Sequence, residues 1–378
     1  MSFDTLFDIK NIICLYFYDL KDIINLYNLN KDHQNNIIIT NLFDIPQKYL
    51  PKLDQKIIEQ DKYKYLEKLY ASGNEKIKNV NHMKKTLKIL HCSYSCGIHQ
   101  YGISKLNLIE LCAHHNEYIK NVNHMKNTLK ILNCSYSCGI HQYGISLLNL
   151  IELTTVDNKN IKNVNHMKNT LKILFCGGYS GIDQNGISEL NLIELTTIDN
   201  KNIKDVNHMK NTLKILFCGG YSGIDQNGIN KLNLIKLNVN GNLKIENVNH
   251  MKKTLKILHC GFNTKIDQNG ISELNLIQLD ANGNEKIKNV NHMKNTLKKL
   301  NCGWYCGIDQ YGISELNLIE LDAFNNDKIK NMNHMKKTLK ILNCGGYDSG
   351  IDQNGISELN LIELHAYDNK HIKKSESH

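Results

Sequence analysis

The sequence contains no arginine, so all 46 of its basic residues are lysines. Recognition of base edges and tight binding of phosphate favour the flat, forked guanidinium group that arginine supplies. The lysines are also interleaved with 37 carboxylates, so the formal net charge of +9 is spread along the chain and not gathered in one basic patch. We therefore predict that the chain has no nucleic-acid partner.

Long apolar runs are also absent from the sequence. No uninterrupted apolar stretch reaches the length that a membrane-spanning helix needs. The first residues, MSFDTLFDIK, lack the basic region followed by a clean apolar run that marks a secretory signal. These features predict a soluble protein of the cytoplasm with no membrane partner.

The twelve cysteines do not have the pattern of a disulfide framework. Seven of them fall at one position of an internal repeat, where the side chain should point inward and a free thiol acts as a small hydrophobic group. These seven are Cys92, Cys134, Cys176, Cys218, Cys260, Cys302 and Cys344. We interpret them as core residues of a protein from a reducing compartment.

The repeat is clearest in residues 108–119, LIELCAHHNEYI, with the skeleton Leu-x-x-Leu-x-Ala-x-x-Asn-x-x-Ile. Two types of repeat alternate every 21 residues, and positions are counted here from the first leucine of each. Type A starts at Leu87, Leu129, Leu171, Leu213, Leu255, Leu297 and Leu339. Type B starts at Leu66, Leu108, Leu150, Leu192, Leu234, Leu276, Leu318 and Leu361.

A period of 21 residues could also describe three heptads of a coiled coil. The glycines exclude that alternative, because the A repeat from Leu171 carries Gly177, Gly178, Gly181 and Gly186, and each glycine disfavours a helix by up to about 1 kcal/mol. The pattern instead indicates that each repeat has a short extended segment, a turn and an irregular return segment. This arrangement resembles a leucine-rich repeat. The resemblance implies a solenoid of about fifteen repeats over residues 66–378, with a parallel β-sheet on a concave face and short 3₁₀, helical or irregular returns.

Residues 1–45 differ from the repeats and have apolar residues at helical spacing. They resemble a degenerate F-box, a small α-helical module that binds a Skp1-type adaptor. The resemblance implies that the adaptor-binding residues are Leu6, Ile9, Ile12, Ile13, Leu20, Ile23 and Ile24. The alternative is a helical cap that shields the first repeat. Residues 46–65 contain both prolines and are predicted to be a linker or N-terminal cap.

Repeated histidines and cysteines raise the question of a metal site. Histidines of the Asn-His-Met sequences recur two repeats apart, which is too far for shared ligation at about 4.8 Å per strand. The cluster His91, Cys92, Cys96 and His99 includes an inward cysteine, and Asp309 replaces the histidine in the later copy. We therefore predict no metal site, no cofactor and no catalytic residues.

The copies differ mainly at positions 3 and 5, which should point out of the concave face. Isoleucine alternates there with mostly acidic residues, and Phe175 and Phe217 add aromatic side chains of the kind that anchor protein partners. The predicted target-binding residues are Glu110, Asn133, Glu152, Phe175, Glu194, Phe217, His259, Asp280 and Asp322.

Together these features predict a non-enzymatic protein that binds a protein target on its concave face. The F-box resemblance implies a substrate-recognition subunit of a Skp1-cullin-F-box-type ubiquitin ligase, and the alternative is a plain leucine-rich repeat scaffold without a ligase link. The chain also resembles F-box and leucine-rich repeat proteins of large amoeba-infecting DNA viruses, which would place it in the host-cell cytoplasm.

Overall fold

The computed structural model describes residues 39–42 and 52–373. The chain divides into two compact halves, Met1–Leu190 and Asn191–His378. The predicted adaptor-binding residues, from Leu6 to Ile24, lie outside the described residues. No helix in the described ranges is long and apolar enough to cross a membrane.

In the first half the described residues form seven short strands that pair in parallel in chain order. The strands are β1 (Asn41–Leu42), β2 (Lys68–Tyr70), β3 (Ile89–His91), β4 (Glu110–Cys112), β5 (Ile131–Asn133), β6 (Glu152–Thr154) and β7 (Ile173–Phe175). The register advances by one repeat from strand to strand, as in Lys68 opposite Ile89. Among the described residues the first strand of the sheet is therefore Asn41–Leu42, which precedes the first repeat recognised in the sequence.

The second half continues the same pattern with nine parallel strands among its described residues. They are β8 (Glu194–Thr196), β9 (Ile215–Phe217), β10 (Lys236–Asn238), β11 (Ile257–His259), β12 (Gln278–Asp280), β13 (Lys299–Asn301), β14 (Glu320–Asp322), β15 (Ile341–Asn343) and β16 (Glu363–His365). The predicted leucine-rich repeat solenoid is confirmed.

The middle residue of each strand from β2 to β15 is a leucine that points inward and is at most 2% exposed. Alternation along a strand places positions 4 and 6 on the same side. Position 6 accordingly holds the seven repeated cysteines, all fully buried with free thiols. Burial raises the pKa of Cys176 to about 12, so this thiol is neutral and serves as core. The core interpretation of the repeated cysteines is confirmed.

Each return from β2 onward contains at most one helical turn, whereas the described part of the return between β1 and β2 contains two. The α-helices within the described residues are α1 (Gln55–Ile58), α2 (Gln100–Ile103) and α3 (Gln226–Ile229). The 3₁₀ helices are Asp61–Tyr63, Asn81–Met83, Asn123–Met125, Gln142–Ile145, Asn165–Met167, Asn185–Ile187, Asn207–Met209, Asn249–Met251, Asn269–Ile271, Asn291–Met293, Tyr311–Ile313, Asn333–Met335 and Asn354–Ile356. Val164 and Met167 are both fully buried, so one side of a single turn packs on the core, as the spacing predicts.

The asparagine at position 9 of the B repeats closes the turn after the strand. The side-chain amide of Asn116 donates to the carbonyls of Cys92 and Ile98 at 2.7 and 3.2 Å. Its oxygen accepts from the backbone N–H groups of Tyr118 and Ile119. One buried amide thereby satisfies four backbone groups that have left the sheet.

The A repeats satisfy their turns differently, which their sequence alone does not explain. The backbone N–H of Gly181 donates to the carbonyl of Asn158 in the preceding B repeat at 2.9 Å. Beside it, the buried hydroxyl of Ser180 lies 3.2 Å from the hydroxyl of Thr155. Further along, Gly186 passes so close to the Lys162 carbonyl that any Cβ would overlap it. The glycines of the A repeat therefore permit backbone contact between neighbouring repeats.

Candidate binding surface

The nine predicted target-binding residues all occupy the first or third position of a strand, and each is half-buried. The intervening leucines point inward, so these side chains line the opposite side of the sheet, called here the open face. Glu110, Asn133, Glu152 and Phe175 belong to the first half. Glu194, Phe217, His259, Asp280 and Asp322 belong to the second half.

In the first half the open face carries a polar group around β3 and β4. The Nε2 atom of His91 lies 3.1 Å from the Oε1 atom of Glu110 on the adjacent strand. The ring of Tyr70 lies on the other side of His91, with ring centroids 5.9 Å apart. Cross-strand pairs of this kind hold side chains in place without burying them.

Next to that pair a thiol, an imidazole and a hydroxyl converge. The Sγ atom of Cys112 lies 3.2 Å from the Nδ1 atom of His114, and the hydroxyl of Ser93 lies 2.9 Å from the same nitrogen. Burial raises the pKa of the Cys112 thiol and lowers the pKa of His114. Both shifts favour the neutral pair over the thiolate and imidazolium that nucleophilic catalysis needs. The three side chains form a polar contact network.

In the second half an aromatic and cationic group lies on β9 and β10. The Nζ atom of Lys236 lies over the Phe217 ring, 5.0 Å from its centroid, which is a cation–π contact. Farther along, the Nδ1 atom of His259 lies 3.4 Å from the Oδ2 atom of Asp280. Phe217 is thus held beside a positive charge on an exposed sheet, an arrangement that suits an anchor residue.

A small recess of about 140 Å³ lies on the open face of β12 to β14. Its polar rim consists of Gln278, Asp280, Lys299, Asn301, Glu320 and Asp322. Lys299 and Glu320 form an ion pair at 2.6 Å across it. The carboxylates of Asp280 and Asp322 each accept from a backbone N–H of the following turn, so their positions are fixed. The recess presents fixed acceptors to anything that covers the face.

The histidines of the Asn-His-Met sequences have a structural role. The Nε2 atom of His250 lies 3.1 Å from the carbonyl of Ile229 in the preceding A repeat, and His292 makes the same contact with Ile271 at 3.2 Å. Burial lowers the pKa of His124, His166, His250, His292 and His334, while the bond to the carbonyl opposes that shift. Each neutral imidazole donates to a carbonyl that also accepts a backbone N–H of its own repeat, as the Ile271 carbonyl does from Leu274.

The other candidate metal site consists of His91, Cys92, Cys96 and His99, and its histidines and cysteines lie in different environments. Cys92 is fully buried in the core and Cys96 is 1% exposed. His91 contacts Glu110 on the open face, whereas His99 stacks on Tyr118 with ring centroids 4.1 Å apart. Within the described residues no group of three or more histidine, cysteine, aspartate or glutamate side chains is arranged to hold a metal ion.

Sequence reasoning missed a column of aromatic residues at the turns that follow the strands. Tyr94, His115 and Tyr136 each occupy the third residue after a strand and have φ angles of 58, 58 and 59°. A left-handed backbone is unfavourable for bulky side chains. Position 8 holds glycine, aspartate or asparagine in many other repeats. The aromatic residues at this position in three successive repeats are therefore the sequence feature that could have revealed this row of rings.

Comparison with known proteins finds no matching family profile and no matching curated protein. Similar solved structures include the yeast Rad7–Elc1 complex, with 15% identity, 95% of this chain and 93% of the other covered, and a TM-score of 0.43. Internalin InlF of Listeria monocytogenes gives 15% identity, coverages of 85% and 88%, and a TM-score of 0.40. The functional domain of InlJ from the same organism has 19% identity, with 81% of this chain and 63% of the other covered, and a TM-score of 0.38. The likeness is one of fold alone, and by its own strands and returns the chain is a leucine-rich repeat solenoid.

Proposed function

We propose that the chain is a non-enzymatic protein-binding protein whose open face holds a target protein. The observation that carries this proposal is the contrast within single strands. In β12 the inward Leu279 is fully buried and repeated, whereas the outward Gln278 and Asp280 are half-buried. Gln278 differs from the glutamate or lysine of the other B repeats, and aspartate at the position of Asp280 recurs only as Asp322. An exposed face of mixed aromatic, charged and amide groups has the composition of a protein interface.

Three features of the second half's open face support a protein target. Phe217 supplies an apolar anchor beside Lys236. His259 and Asp280 form a polar pair, and the recess around Asn301 supplies fixed hydrogen-bond acceptors. Aromatic anchors with a surrounding polar rim are the usual distribution of binding energy in such interfaces.

The target-binding proposal is tested by capture with a face variant. The full-length chain and the triple variant Phe217→Ala, Asp280→Ala, Asp322→Ala are immobilised and exposed to the same protein extract. A protein retained only by the unchanged chain is then purified and titrated against both. We expect the triple variant to bind at least about tenfold more weakly, since interface anchors each contribute about 1–2 kcal/mol or more. A purified target that binds both equally would exclude the open face as its site.

For the N-terminal residues we propose that Leu6, Ile9, Ile12, Ile13, Leu20, Ile23 and Ile24 bind a Skp1-type adaptor. The chain would then be a substrate-recognition subunit of a ubiquitin ligase, with the adaptor at one end and the target on the sheet. The support is the F-box-like order of apolar residues in the sequence. The alternative is a scaffold whose N-terminal residues only cap the first repeat.

A purified Skp1-type adaptor separates these two proposals. The full chain and the double variant Ile12→Asp, Leu20→Asp are compared in a binding titration. The ligase proposal predicts saturable binding that the double variant abolishes, because two buried charges cannot be accommodated in an apolar helix interface. Absence of binding by the unchanged chain, or equal binding by the variant, would exclude the ligase proposal and leave the scaffold proposal.

A further inference from the structure

The aromatic residues at position 8 form a continuous stack in the first half. The ring of His115 stacks on Tyr94 with centroids 5.5 Å apart and an interplanar angle of 16°, and on Tyr136 at 4.5 Å and 7°. The preceding B repeat has Gly73 at this position, which carries no side chain to cover Tyr94. Tyr94 remains 52% exposed. The stack therefore presents an aromatic ring at its N-terminal end.

Beside this stack lies an open groove of about 960 Å³. Its lining includes Glu75, Tyr94, His99, Tyr101, Glu117 and Tyr118. Tyr118 is held by stacking on His99 and is 53% exposed, while Tyr101 is 86% exposed. Three tyrosines and two carboxylates thus border one concave surface.

The charges of the groove differ from those of the corresponding turns. Among the described residues neither Glu75 nor Glu117 forms an ion pair, and both are exposed. Lys78 also borders the groove, so its two glutamates and one lysine together carry one net negative charge. In the next two B repeats Lys159 and Lys201 occupy the position of Glu117, and each lies over a tyrosine ring at 5.5 Å. In those repeats the lysine contacts a tyrosine at position 9 of the following A repeat, whereas the groove has its A-repeat tyrosine, Tyr94, at position 8 and carboxylates at position 10 of the flanking B repeats.

The geometry points to a site for an arginine side chain presented by a partner peptide. A guanidinium group is flat, stacks on aromatic faces and pairs with carboxylates through its fork of N–H donors. Tyr94 and Tyr118 supply the exposed rings, and Glu75 and Glu117 supply the acceptors. The chain contains no arginine of its own to compete for the site. This site lies at the turns and not on the open face, so it goes beyond the proposed target binding.

Short synthetic peptides test the inference directly. The full-length chain is titrated with acetyl-Gly-Gly-Arg-Gly-Gly-amide while saturation transfer from protein to peptide is followed by NMR. Matched peptides carry lysine or citrulline in place of arginine. We expect saturable arginine binding, weaker lysine binding, and citrulline binding reduced about tenfold or more by loss of the cationic charge. The overall charge of +9 repels all cations, so saturable binding of this peptide requires a local site.

Variants borrowed from neighbouring repeats keep the fold intact. Tyr94→Gly introduces the residue present at position 8 as Gly178, and Glu117→Lys with Tyr118→Asn reproduces Lys159 and Asn160. Either variant should reduce arginine-peptide binding about tenfold, since each removes an aromatic face and the second also reverses a charge. The control Tyr221→Ala removes a 74% exposed ring in the second half and should leave binding unchanged.

Four results would overturn the inference. They are equal binding of the arginine and citrulline peptides, equal binding of the arginine and lysine peptides, binding unaffected by both groove variants, and absence of saturable binding. The open-face triple variant should bind the arginine peptide as the unchanged chain does, so failure of the groove and failure of the target proposal are distinguishable.

Discussion

The two sides of each strand have different requirements. In β11 the inward Leu258 is fully buried and followed by the fully buried Cys260, while the outward Ile257 and His259 are half-buried. The inward residues recur because each repeat buries its apolar side only by stacking on its neighbours. The outward residues are freer to differ, because the sheet stays paired whatever they are, although isoleucine recurs at position 3 of the A repeats. The comparison teaches that repetition at the inward positions reports folding, while the variation at the outward positions, above all position 5, marks the candidate binding sites.

The largest expected effect comes from changing an inward leucine. Leu258→Ala removes buried methyl groups and leaves a cavity, which should lower the free energy of unfolding by about 2–5 kcal/mol. Ile257→Ala on the other side of the same strand should cost less than about 1 kcal/mol. Denaturant titration of both variants measures the difference, and equal losses would break the distinction between the two sides.

A smaller but still clear effect is expected from the buried amide of Asn284. Its side chain donates to the carbonyls of Cys260 and Ile266 at 2.8 and 3.1 Å and accepts from the N–H of Lys286. Asn284→Ala should cost about 1–3 kcal/mol, because buried backbone groups lose their partners.

Asn282 provides the matched control two residues earlier. Its side-chain oxygen has no hydrogen-bond partner in the described part of the chain. Asn282→Ala should therefore change the free energy of unfolding by less than about 1 kcal/mol. If both alanine variants lost the same stability, the account of the asparagine turns would be wrong.

Much of the fold follows from the sequence because the inward pattern repeats. Fifteen copies of one skeleton identify the strands, the buried cysteines and the asparagine turns, as Leu111, Cys92 and Asn116 illustrate. The stack of Tyr94 and His115 could not be predicted in the same way. Ring stacking depends on a left-handed backbone conformation at position 8. That conformation cannot be predicted from the sequence when the residue is neither glycine nor asparagine.

The early strand at Asn41–Leu42 was also missed, for a different reason. Its two residues lack the full leucine skeleton, and pairing with Lys68 and Leu69 brings them into the sheet. Backbone pairing needs no particular side chain, so a strand that lacks the repeat skeleton is invisible to pattern matching. The open-face residues were placed correctly on strands by alternation, whereas their role in binding remains a prediction.

Acidification should weaken the solenoid through the repeated histidines. Burial lowers the pKa of His124, His166, His250, His292 and His334 below the ordinary value of 6.5. The unfolded chain therefore binds more protons than the folded chain as the pH falls below about 6.5. This contribution to stability is fully present at neutral pH and is lost as the pH falls through the lowered values.

His292→Gln isolates one member of that row. A glutamine amide can still donate to the Ile271 carbonyl but cannot be protonated. The variant should lose less stability between pH 7 and pH 5 than the unchanged chain, as measured by denaturant titration at each pH. An identical pH dependence in both proteins would assign the acid sensitivity to other groups.

The smallest effect on folding is expected on the open face. Asp322→Ala removes a half-buried carboxylate that accepts one N–H, from Phe324 at 3.0 Å. The change should lower the free energy of unfolding by no more than about 1 kcal/mol. A loss as large as that of Leu258→Ala would mean that outward residues also hold the fold together.

The central claim is that inward residues maintain the solenoid while outward residues bind the target. The most direct test is to measure both properties on the triple variant Phe217→Ala, Asp280→Ala, Asp322→Ala, using a purified target captured by the unchanged chain. The account predicts an unfolding midpoint close to that of the unchanged chain and target binding at least about tenfold weaker. Unchanged binding, or weaker binding only in step with a collapse in stability, would contradict it.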